Sequence, residues 1–105
     1  MVIVSISKEE LERLKEVAES KQLTNEHVDA LRRMLMKAGV LVKLDEYIAL
    51  KNNDAIFVYS GDLFVEIGLS ANTNGKVVAT VVIENVKNVK YRERIDITFV
   101  AGEGK

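Results

Sequence analysis

At 105 residues, 48% hydrophobic and 30% charged with a net charge of −1, the chain has the composition of one globular domain. The absence of cysteine excludes disulfides, thiolate zinc sites and a cysteine nucleophile, and a single histidine, His27, excludes multi-histidine metal sites. The longest apolar run, Val77 to Ile83, is far too short to span a bilayer, and the apolar residues 1–6 meet Lys8 and Glu9 at once, unlike a signal peptide. A cytoplasmic protein with no membrane partner and no cofactor is expected. The lack of proline and the abundance of Lys and Glu hint at a thermophile, while seven asparagines pull the other way.

In chain order, Val2, Val4 and Ile6 suggest a short strand. Ser7 and Glu10 have capping-box spacing, so the first helix begins there, with Leu11, Leu14, Val17 and Ala18 as its apolar stripe. Thr24 or Asn25 caps a second helix whose Val28, Leu31, Leu35 and Ala38 share one face. Gly39 stops it, at the place where a left-handed backbone costs glycine least. Val40–Leu44 and Tyr47–Leu50 have strand composition, and Asp45-Glu46 between them argues for a hairpin. Lys51 to Asp54 reads as a loop.

Four further strands are expected at Ala55–Ser60, Leu63–Ala71, Lys76–Val86 and Ile95–Val100. Ser60-Gly61-Asp62 and Asn72 to Gly75 supply the turns of a meander. Leu63, Val65, Ile67 and Leu69 alternate with Phe64, Glu66, Gly68 and Ser70, so one face of that strand is core. The run from Val77 to Ile83 is apolar on both faces, as in a central strand or one covered by a partner chain. Gly102 to Lys105 reads as a frayed tail.

A capped helix, a glycine and a short hairpin, preceded by a helix at Leu11–Ala18 and a turn at Lys21–Thr24, resemble a winged helix-turn-helix. The resemblance covers residues 2–51. It implies DNA as a partner, with the second helix in the major groove, the hairpin beside it, and Arg32, Arg33, Lys37 and Lys43 as contacts, mostly to phosphates. The same charges also have a plain structural role: Glu26 and Asp29 suit a helix N-terminus, and the arginines and Lys37 suit its C-terminal half.

A second basic stretch, Lys87 to Arg94, carries +3 over eight residues. Lys90, Arg92 and Arg94, with Tyr91 to stack on a base, are candidate nucleic-acid contacts; a soluble connection or an edge guard is the competing reading. His27 has no serine or metal partner nearby, and no acidic pair has EF-hand or catalytic spacing, so neither a catalytic nor a metal-ligating residue is assigned.

These readings predict an α+β domain over residues 1–105. A winged-helix-like half (2–51) of two helices and a hairpin packs with a mainly antiparallel sheet, the β-meander half (55–100). The expected function is nucleic-acid binding by a protein that is no enzyme. The alternative is a protein-interaction or assembly module that oligomerises through its sheet, and a homo-oligomer suits either.

Overall fold

The computed structural model describes residues 2–40, 48–52, 55–72 and 74–102. Its elements are β1 (Val2–Ile6), α1 (Lys8–Glu19), α2 (Asn25–Lys37), β2 (Ile48–Asn52), β3 (Ala55–Ser60), β4 (Leu63–Ala71), β5 (Val77–Asn85) and β6 (Arg92–Ala101).

Both helices begin where side chains satisfy the orphan amides of the first turn. Ser7 Oγ accepts from the Glu10 N–H at 3.1 Å, and Glu10 Oε1 accepts from the Ser7 N–H in return. On α2 the cap is Thr24, whose Oγ1 accepts from the His27 N–H at 3.1 Å; the Thr24 N–H donates to His27 Nδ1 at 3.3 Å. His27 thus fills the role that Glu or Gln has in the usual capping box. The chain leaves α2 through Gly39, at φ 79°.

Among the described residues the sheet has six strands in the order β1-β6-β5-β4-β3-β2. From β2 to β6 every neighbour is antiparallel, but β1 joins β6 in parallel, with Val4 opposite Phe99. Among the described residues the first and second strands therefore occupy opposite edges, about 24 Å apart at five strand spacings. The two helices carry the chain across that distance. α1 lies against β4, β5 and β6, and α2 packs against α1.

This arrangement corrects the expected fold. Class and order are α+β with two helices before most of the sheet, but no winged-helix-like half forms beside a separate meander. Val2–Ile6 leaves the helices to become an edge of the sheet, because Val4 and Ile6 need a covered face and β6 supplies one beside Phe99. The sheet is consequently mixed. The expected wing falls largely on residues 41–47, outside the described residues, and Ile48–Asn52 pairs with β3. The strand also runs on through Lys51 and Asn52, where a loop is expected from sequence.

The core lies between the helices and one face of the sheet. Leu11, Leu14 and Val17 of α1 meet rows of strand residues such as Val81, Ile67 and Ile56, which are paired in register. On α2 the buried residues are Ala30, Leu31, Met34 and Leu35, while Val28 and Ala38 are only half-buried. The apolar stripe has turned toward Met34 because α2 covers α1 and the edge of the core rather than the middle of the sheet.

Two ion pairs join the helices: Arg13 Nη1 to Glu26 Oε2 at 2.8 Å, and Lys37 Nζ to Glu10 at 2.9 and 3.0 Å. The Lys37 hydrogen bond holds the Glu10 carboxyl below its ordinary 4.5, against the opposing effect of partial burial. A carboxyl lowered in the folded state adds stability above its unfolded value and loses it as pH falls through the folded value. We therefore expect Lys37→Met to cost about 0.2–1 kcal/mol at pH 7, the range for solvent-exposed pairs. Urea midpoints should show the gap between variant and parent closing as pH is lowered from 4.5. A gap that persists at pH 2.5–3, roughly a unit or more below the unfolded carboxyl value, would assign the loss to the lysine stem instead.

Candidate functional site

The basic residues expected to bind nucleic acid fall on two sides of the sheet. Arg32, Arg33 and Lys37 are exposed on α2, over the helix-covered face, and Lys37 is held by Glu10. Lys43 lies outside the described residues. Arg92 and Arg94 belong to β6 and, by the strand's alternation with buried Ile97 and Phe99, point to the opposite face. Lys90 sits in the link before β6. A six-stranded sheet separates the two sets, so they do not form one surface.

The face without helices has a different character. Register places its side chains in rows: Arg92, Glu84, Phe64, Tyr59, and next to it Arg94, Val82, Glu66, Phe57. The three aromatic residues touch. The Phe57 and Phe64 rings are stacked with centroids 5.8 Å apart and planes at 27°, and Tyr59 meets Phe64 at 4.9 Å and 58°. Such offset and tilted contacts contribute roughly 0.5–1.5 kcal/mol each beyond burial. Tyr59 remains 45% exposed, with Val82 and Val78 half-buried along β5.

The link between β5 and β6 extends this surface. Asn85 Oδ1 accepts from the Lys87 and Asn88 N–H groups at 2.9 and 3.1 Å, and the Tyr91 N–H donates to the Asn88 carbonyl at 2.9 Å. Asparagine side chains shape turns in this way. The turn displays Val86 and Val89, 63% and 91% exposed, beside Tyr91. With Phe64, Glu84 and Asn85 they line a hollow of about 190 Å³. The Tyr91 hydroxyl donates to Glu93 Oε2 at 3.2 Å, and that carboxylate raises the phenol above its ordinary 10.0.

Charge on this face is mixed at close range. Arg94 Nε contacts Asp96 Oδ1 at 3.4 Å, Arg92 stands opposite Glu84, and Lys87 reaches Asp62 at 3.6 Å. Two arginines share the face with Glu66, Glu84 and Asp96, so it carries no strong phosphate-attracting potential. Among the described residues no polar or charged side chain is buried, and no three His, Asp or Glu groups converge on a metal position. No helix among them is long and apolar enough to cross a membrane.

Sequence reasoning marks β4 as apolar on one face and β5 as apolar on both, but misses the aromatic cluster. Phe57, Tyr59 and Phe64 come together only through the β3–β4 register; the available signal was the two-residue turn at Gly61-Asp62, which sets Phe64 opposite Tyr59 and diagonal to Phe57. Comparison of the chain with protein-family models, curated proteins and solved structures gives no match, so the functional reading rests on these residues.

Proposed function

We propose that the protein is a non-enzymatic assembly module that self-associates through the bare face of its sheet. The observation that carries this reading is the touching aromatic cluster of Tyr59, Phe64 and Phe57, with Val82 diagonal to Phe64 in the register, on a face that no helix among the described residues covers. Exposed apolar patches of this kind mark interaction surfaces, and sheets pack face to face about 10 Å apart with interleaved side chains. The charges favour a second copy as the occupant. A two-fold axis passing near Val82 lays β6 of one copy over β4 of the other, so Arg94 meets Glu66 of the second copy, and the reciprocal contact forms by symmetry.

Light scattering tests it. Self-association is expected at about 100 µM protein, and Tyr59→Lys with Val82→Lys should weaken the face-to-face contact at least 100-fold, about 3 kcal/mol, by placing unpaired charge in it, and so lower the mass of the assembly. A parent protein that is monomeric under those conditions would remove the proposal.

One observation supports a second reading, single-stranded nucleic acid on the same rings. Arg92 and Arg94 lie in the aromatic rows, two strands from Phe64 and three from Tyr59 and Phe57, and base stacking contributes roughly 1–3 kcal/mol per base. Glu84 and Glu66 stand directly beside the rings and oppose it. Fluorescence anisotropy with labelled single strands at about 50 and 200 mM salt separates the readings, since phosphate contacts lose affinity steeply with salt.

A further inference from the structure

The two edge strands of the sheet, as the described residues define it, are finished differently. On β2, Lys51 lies in the row of Ile56, Ile67 and Val81 and so points inward, where its ammonium bonds carbonyls at the end of α1. An inward-pointing charge on an edge strand is a recognised defence against pairing with another chain. β1 has no such feature. Its five residues, Val2-Ile3-Val4-Ser5-Ile6, contain no charge, no proline and no bulge.

The backbone of β1 is half used. The Gly102 N–H donates to the Ile6 carbonyl, so Ile6 faces β6, and strand alternation turns Val4 and Val2 the same way. The N–H and C=O groups of Ile3 and Ser5 then point to the free edge, which no strand among the described residues occupies. Ser5 is exposed and Ile3 is 68% exposed, and α1 leads from β1 inward over β6, β5 and β4, away from that edge.

We infer that the free edge of β1 pairs antiparallel with β1 of a second copy, joining two sheets into one. The strand is self-complementary for this pairing. With Val4 opposite Val4 on the two-fold axis, Ile3 faces Ser5 of the second copy and Ser5 faces its Ile3. Each of these pairs exchanges two hydrogen bonds, about four in all, through the groups left unpaired. The same register sets Val2 against Ile6, so core-facing side chains meet core-facing side chains and both helix layers stay on one side. A one-residue slip would oppose the faces, and a two-residue slip would halve the bonds. This contact uses no residue of the bare face and stands or falls separately from it.

Ser5→Pro tests the contact because the lost N–H points away from β6. Native amide exchange and circular dichroism should be kept elsewhere in the chain, and Ile3→Lys, which alters an exposed side chain only, provides an independent variant. Multi-angle light scattering should show each variant weakening self-association at least tenfold when introduced into Tyr59→Lys/Val82→Lys protein. In that background the bare face is blocked, so the remaining dimer reports the edge alone. Ile3 and Ser5 amides should also gain protection from exchange as protein concentration rises. A Tyr59→Lys/Val82→Lys protein that is already monomeric, or that keeps its dimer when Ser5→Pro and Ile3→Lys are added, overturns the edge contact. The first of those results leaves the bare-face reading intact, and the second leaves it to the comparison with the parent.

Discussion

Replacing Phe99 with alanine should lower the free energy of unfolding by about 3–5 kcal/mol, as measured from urea titration curves. Phe99 is 1% exposed and lies in one row with Val4 of β1 and Val77 of β5. Its ring therefore fills the space between the parallel pair and the interior of the sheet. Removing it takes away the transfer free energy of a whole aromatic side chain and leaves a cavity that neighbouring strands, tied by their hydrogen bonds, close only in part. The loss is large against the 5–15 kcal/mol stability of ordinary domains. Amides of β1 should exchange faster in the variant than amides of β4, because β1 depends on this row for its burial. A loss below about 1.5 kcal/mol would show that β1 and α1 settle into the gap.

Replacing Lys51 with methionine should cost about 1.5–3 kcal/mol, the range for hydrogen bonds to a charged group, here one that is partly buried. The last turn of α1 carries no basic residue, and its C-cap Ser20 is extended rather than left-handed. The terminal carbonyls need another partner. Lys51 Nζ, from the far edge of the sheet, donates to the carbonyls of Val17 at 2.7 Å and Ala18 at 3.1 Å, and also to that of Ser20. The ammonium also complements the negative end of the helix dipole. Methionine keeps the apolar stem and removes only the charge. The cost should exceed that of Lys37→Met, whose partner is a solvated carboxylate on a neighbouring helix. Exchange of the last α1 amides should accelerate in parallel. If the two lysine variants prove equal, water replaces the ammonium at the helix end.

The two lysines show where chain order is a poor guide. Lys37, at the end of α2, has an evident local role in the dipole and is free in sequence to face a phosphate; in the fold it binds Glu10, 27 residues earlier. Lys51 belongs, by composition, to a loop, and only its position opposite Ile56 sends it under the sheet. Arg92 and Arg94 look like part of a basic connection, yet as members of β6 they alternate onto the bare face among carboxylates. The two basic stretches are separate candidates in the sequence, and backbone pairing sets them on opposite faces of the sheet.

What the chain determines by itself is local. Ser7 with Glu10 and Thr24 with His27 start the helices, and Gly39, Gly61 and Gly75, all at positive φ, turn the backbone where other residues would be strained. The two-residue alternation from Leu63 to Leu69 chooses a buried face because side chains on a strand have no other periodicity. Each of these signals is complete within a few residues. The parallel pairing of β1 with β6 joins positions 95 residues apart, as Val4 does with Phe99, and Lys51 meets Val17 across 34. No local preference selects such partners. Tertiary structure decided them, because β1 can bury Val4 and Ile6 only beside a strand that already has one face under a helix, and β6 is the strand the meander leaves there.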